Sequence, residues 1–179
     1  ISETASANFS EMAISNDEKQ IAVVYKGDIF IGKADDKEAK RLLRITSDAS
    51  QDQNPIFSND GKAIYFLNNS NGQHDIFKAF AVDSLPLFLS QNISLELILK
   101  TSQNEQKLSL SKDNKTLWFQ RSLGDLISFN LATKKEKIWL TGWNLGTYTF
   151  SPDERFLAYS LQDNQFNEDE QRKYEEKED

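Results

Sequence analysis

The chain has no cysteine. That excludes disulfides, a thiol nucleophile and any Cys-ligated zinc or iron–sulfur centre, and it leaves a cytoplasmic and a periplasmic location in a bacterium equally open. There is one histidine, so a Ser–His–acid arrangement would have to be built on His74. No apolar run approaches the roughly 18 residues of a membrane-crossing helix, which predicts no membrane insertion. The N-terminal stretch ISETASANFSEMAIS has neither a basic start nor an apolar core, so it does not read as a secretory signal. With no initiator Met, the chain reads as a piece of a longer protein. Positive charge is also scarce: 21 Lys and Arg stand against 28 Asp and Glu, for a net charge of −7. A nucleic-acid partner would need clustered Lys and Arg, so none is expected.

What is present is a repeat. With 179 residues, 38% of them hydrophobic, the chain can build one domain with a core. Four segments align: MAISNDEKQIAVVY, PIFSNDGKAIYFLN, LSLSKDNKTLWFQR and YTFSPDERFLAYSL. Their serines, Ser15, Ser58, Ser111 and Ser151, are spaced by 43, 53 and 40 residues. Units of about 40–50 residues are the period of four-stranded propeller blades. In each unit a short strand reaches the Ser, and a tight turn follows, of which Asp60-Gly61 is the strongest case. A second strand comes next: QIAVVY, AIYFL, TLWFQ and FLAYSL. These are rich in β-branched and aromatic residues and apolar on both faces, as for strands between stacked sheets. Third strands start at Asp28, Asp75 and Asp125. Fourth strands are expected at 41–46, 95–101 and 136–141. The longer second spacing places an insertion around 82–92, where Pro86 argues for a loop or an edge segment.

The predicted fold is therefore an all-β propeller of four-stranded antiparallel blades. The blades cover about 9–46, 54–101 and 106–141, with part of a fourth at 147–161. Rings close with about 4–8 blades, so this reads as part of a larger ring. Open edge strands at its ends would favour self-association. Residues 162–179 are highly charged; Glu168–Arg172 and Asp169–Lys173 have the spacing of helical ion pairs, and the segment reads as a solvated helix or a disordered tail.

The unit from Arg44 to Lys78 resembles the blade repeat shared by TolB-type propellers and the N-terminal propellers of tricorn-like proteases. The matching positions are Ile45-Thr46, Asn54-Pro55, Phe57-Ser58, Asp60-Gly61-Lys62, Gly72 and Asp75-Ile76-Phe77. Asn59 stands where that pattern has Pro, which Pro152 supplies in the last unit. The first unit, Phe9 to Gly32, resembles the tricorn repeat more, through Lys26-Gly27-Asp28-Ile29-Phe30. This resemblance implies a non-catalytic propeller segment of a tricorn-like serine peptidase that guides or gates peptides. The implied partners are peptides, proteins and the other domains of the parent chain. The alternatives are a TolB-type envelope scaffold acting through protein contacts, and the propeller of a prolyl-oligopeptidase-type enzyme. The catalytic residues of tricorn-like proteases lie in their C-terminal part, and no position here matches them.

Nothing in the remaining pattern reads as an active site. The four Ser-x-Asp pairs recur at every hairpin and read as turn formers. His74 lies in the polar hairpin NSNGQHD. The carboxylates of NEDE and DERF read as solvated charge, and SDASQDQN lacks the Gly and final Glu of a calcium loop. No catalytic residue, cofactor or metal is expected. Trp118 and Trp139 lie in strand patterns and read as core. Trp143, in TGWNLGTY between blades, falls on a loop at the propeller mouth. With Asn144, Tyr148 and His74 it forms the candidate binding surface.

Overall fold

The computed structural model of the chain describes residues 9–34, 42–122, 124–141 and 145–161. Among them every regular element is a strand. The first sheet contains β1 (Glu11–Ile14), β2 (Gln20–Tyr25), β3 (Asp28–Lys33) and β4 (Leu43–Arg44). The second contains β5 (Asp52–Phe57), β6 (Ala63–Asn68), β7 (Asp75–Ala81) and β8 (Ile93–Leu99). The third contains β9 (Glu105–Leu110), β10 (Thr116–Arg121), β11 (Asp125–Asn130) and β12 (Glu136–Leu140), and a two-stranded sheet contains β13 (Leu145–Phe150) and β14 (Leu157–Leu161). Each sheet is an antiparallel meander in chain order. The charged tail, Trp143 and Asn144 lie outside the described residues.

The Ser-x-Asp turns hold the first hairpin of each sheet in one geometry. The hydroxyls of Ser15, Ser58, Ser111 and Ser151 each donate to the Asp two residues on, at 2.6 Å. Each also accepts the amide five residues on, at 2.9–3.0 Å. The serine bond holds the carboxyls of Asp17, Asp113 and Asp153 below their ordinary range, because it favours the ionised form. The residue after each Asp is left-handed: Glu18, Gly61, Asn114 and Glu154 have φ of 56–68°. Only Gly takes that conformation without steric cost.

These turns also tie the sheets to one another. The Asn59 amide donates to Asn114 Oδ1 at 2.8 Å, and the Lys112 amide to Glu154 Oε1 at 2.7 Å. Between the first two sheets Gly61 has no side chain to accept such a bond. There Gln20 Nε2 donates to the Gly61 carbonyl at 2.8 Å instead. A Cβ at Gly61 would stand 2.9 Å from that nitrogen.

The sheets stack face to face through two apolar layers. Ala22, Val24, Ile29 and Ile31 of the first sheet meet Ile64, Phe66 and Ala79 of the second. Tyr65, Leu67, Ile76 and Ile98 meet Leu108, Leu117, Phe119, Ile127 and Phe129 of the third. Successive residues of a strand point to opposite faces. β6 therefore divides its side chains between both layers, and all six of its residues are buried. The insertion at 82–92 is more than a loop. Its Leu87 is fully buried in the first layer.

Two expectations need correction. The fourth strand of the first sheet shrinks to two residues. Beyond it the Ile29 amide takes Thr46 Oγ1 as acceptor, at 2.9 Å, in place of a backbone carbonyl. Trp139 is not core: it is 50% exposed. It lies on the outermost strand of the third sheet, and among the described residues only a two-stranded sheet stands beyond that face. Trp118 is half-buried between Trp139 and Phe150, at ring separations of 5.3 and 4.7 Å.

Equivalent acids are buried where the second and third sheets begin. Asp52 is 1% exposed and accepts Asn68 Nδ2 at 2.8 Å, while its Oδ2 has no partner. Burial pushes its pKa up to about 6, and the neighbouring Asp48 and Asp28 add to the shift. Glu105 is 0% exposed and occupies the same place opposite Arg121, at 3.0 Å. Arg121 also holds Glu136 at 2.7 Å.

Candidate functional site

The first strand of each sheet forms one wall of the junction with the next. Four residues before the serines these strands carry Glu11, Asn54, Lys107 and Thr147. At the first junction the Glu11 carboxylate accepts the Asn54 amide. At the second, Asn54 Oδ1 accepts the Leu108 amide. Asn54 and Lys107 are left-handed, with φ of 51° and 53°, and the ladder slips in register beside each of them. These irregularities free the amides for the bridges across.

The third junction is built differently. Lys107 is a donor without acceptor capacity, so its side chain makes no such bridge. Tyr148 of β13 reaches back instead. Its hydroxyl donates to the Lys107 carbonyl at 2.6 Å and lies 3.2 Å from Ser109 Oγ. Burial pushes this phenol above its ordinary range, so it remains a neutral donor at any physiological pH. A groove of about 560 Å³ remains between β9 and β13, within the range of small-ligand sites.

The groove runs from Asn54 and Lys107 at one end to Ser151, Pro152 and Glu154 at the other. Leu108, Leu110, Tyr148 and Phe150 give it apolar surface, and Ser109, Thr147 and Thr149 give it hydroxyls. Phe150 is braced by Trp118 and meets the Tyr148 ring edge-on at 6.1 Å. One wall is thus a fixed aromatic cluster. The other charges are engaged: Lys112 donates its ammonium to the Pro152 carbonyl, and Glu154 accepts the Lys112 amide.

Of the residues singled out from sequence, Tyr148 lines this groove. His74 does not. It sits in the turn between β6 and β7, where its amide donates to Asn104 Oδ1 at 3.0 Å and its carbonyl accepts the Glu105 amide at 3.1 Å. Its Nε2 is buried with no partner, and the four turn serines are committed to their aspartates. Among the described residues no cluster of three His, Asp or Glu could hold a metal ion, and no helix is long and apolar enough to cross a membrane. Lys107 and Asn54 were missed as site residues. Reading the position four before each serine as a column would have shown Lys as the odd member.

Comparison with known proteins gives structural matches alone. No family model matches the chain, and no curated protein is significantly similar to it. TolB from Acinetobacter baumannii superposes with a TM-score of 0.69 at 17% identity, over 91% of this chain and 40% of that one. The fold is a TolB- and tricorn-type β-propeller. A TolB of Agrobacterium tumefaciens gives 0.62 at 18% identity, over 84% of this chain and 57% of its own. The tricorn protease gives 0.64 at 12% identity, over 86% of this chain and 20% of its own. This propeller chain therefore spans between a fifth and somewhat over half of the chains it matches. In propeller terms the sheets are blades, and the groove lies between the third and the two-stranded fourth.

Proposed function

We propose that this propeller is a non-catalytic binding module that holds an extended peptide or protein segment between its third and fourth blades. One observation carries the reading. At the first two junctions a side-chain oxygen closes the gap between inner strands, whereas at the third a donor replaces it and a groove with an aromatic wall remains. In the setting of a tricorn-like serine peptidase such a groove would guide or gate peptides. The two TolB structures and tricorn superpose comparably, at TM-scores of 0.62–0.69 and 0.64, so a scaffold that works through protein contacts is an equal second setting.

The test is titration of the ¹⁵N-labelled chain with a mixture of blocked random hexapeptides. The expected result is amide shifts concentrated at Leu108, Thr147 and Tyr148, with all peptides recovered intact. Shifts confined to other blades would overturn the groove as the site. Cleavage that a serine-directed inhibitor abolishes would overturn the non-catalytic reading.

A further inference from the structure

The chain carries a net charge of −7, yet the groove holds a cation. Lys107 is exposed, and its ammonium has no ion pair or hydrogen bond among the described residues. The neighbouring charges do not pair with it: the Lys112 ammonium goes to the Pro152 carbonyl, and the Glu154 carboxylate accepts the Lys112 amide. Its backbone is pinned as well, because the carbonyl accepts the Tyr148 hydroxyl at 2.6 Å. The stem of the side chain therefore leaves a fixed point beside the aromatic wall, and only the ammonium remains to be satisfied.

We propose that the groove selects an extended segment carrying a side-chain carboxylate, Asp or Glu. The carboxylate pairs with Lys107, and a neighbouring apolar residue packs on Tyr148 and Phe150. The inference rests on the groove being the binding site. Charge complementarity chooses the acid: a basic segment would bring a second cation to Lys107, and a neutral one would leave it unpaired. The groove follows Lys107 to Leu110 of β9 and Thr147 to Phe150 of β13, so a segment of about four residues passes along it and presents a side chain to Lys107. A strand alternates its side chains. An acid at one position and an aromatic two residues on would both face the groove.

Three probes separate the possibilities: Ac-Thr-Glu-Thr-Phe-NH₂, its Glu-to-Gln counterpart, and the Gln peptide with a free C-terminal carboxylate. Each is titrated by NMR into the chain and into Lys107→Met. That variant keeps the carbonyl that Tyr148 uses, changes an exposed side chain and brings no acceptor that could bridge the junction as Asn54 does, so it should fold with the groove open. The Glu peptide is expected to bind about threefold more tightly than its Gln counterpart, the scale of one partly exposed ion pair. It should shift Leu108, Thr147 and Tyr148. Lys107→Met should erase the preference and leave binding of the Gln peptide nearly unchanged. Equal binding of the Glu and Gln peptides at these residues would overturn the carboxylate inference and leave the groove standing. A preference for the free terminus alone would overturn the side-chain source. A preference that survives Lys107→Met would overturn the role of Lys107. No shift at these residues with any probe would overturn the groove itself, and the inference with it.

Discussion

Replacing Asp52 by Asn should stabilise the protein, and by more at high pH than at low. Asp52 is 1% exposed, its Oδ2 has no partner, and its pKa is about 6 against an ordinary 3.8. A carboxyl whose folded pKa is raised binds its proton more tightly in the folded state. Its contribution is fully present below about pH 4 and is lost as pH rises through about 6. At 1.36 kcal/mol per unit the loss by pH 8 is about 3 kcal/mol. At pH 4.5 the unfolded carboxyl is already largely ionised and the folded one is not, so about 1 kcal/mol is lost there. Asparagine keeps an oxygen for Asn68 Nδ2 and titrates nowhere in this window. Its advantage over Asp52 should therefore grow by about 2 kcal/mol between pH 4.5 and 8. Urea unfolding of both proteins at a series of pH values measures this directly. Self-repulsion from the net charge of −7 acts on both proteins nearly alike and largely drops out of the difference. A difference that stays flat with pH would refute the claim that Asp52 is buried as an uncompensated carboxyl.

Three further substitutions test the other devices of the fold. Glu18→Gly relieves a left-handed residue that is exposed and should stabilise by about 0.5–1 kcal/mol. Asn114→Gly relieves the same conformation but removes the oxygen that accepts the Asn59 amide, and urea midpoints should show it to be neutral or destabilising. Arg121→Met strips the charged partner from fully buried Glu105, leaving it, among the described residues, only the Thr101 hydroxyl at 2.8 Å, and should cost about 3–5 kcal/mol. Thermal and urea unfolding at pH 7 measure it, and a loss under about 1 kcal/mol would mean that water replaces the guanidinium.

What could be read from the sequence follows the range over which each feature is determined. The Ser-x-Asp turns were legible because all their bonds are local: Ser58 answers to Asp60 and Ala63, within five residues. The strands were legible because QIAVVY, AIYFL and TLWFQ have few alternatives as apolar, β-branched or aromatic runs bounded by turns. Burial was less so. Trp118 and Trp139 sit in equally convincing strand patterns. Their exposures differ because β12 is the outer strand of a blade whose neighbour has two strands, which is a property of the stack. Leu87 shows the reverse case. Pro86 marks its surroundings as a loop, yet the loop returns to the core because the first two blades leave a gap that a leucine fills.

The candidate site was least legible, and the reason is physical. A propeller junction is closed by pairs of residues some 40–55 positions apart, Glu11 with Asn54 and Asn54 with Leu108. The meaning of one member depends on the other. Lys107 alone is an ordinary surface lysine. It becomes informative only beside Glu11 and Asn54, since those two show that its position calls for an acceptor. Tyr148 alone is an aromatic in a strand, and it becomes informative when its hydroxyl is found on the Lys107 carbonyl. The same logic separates Asp52 from Glu105. Both are buried acids at the start of a blade, and burial raises both carboxyls; the residue across the ladder, Asn68 in one and Arg121 in the other, decides whether a cation offsets part of that cost. In a fold built from repeats, function is therefore best sought where equivalent positions stop being equivalent. A position that keeps its bridge in two junctions and loses it in the third marks a place where closure has given way to something else.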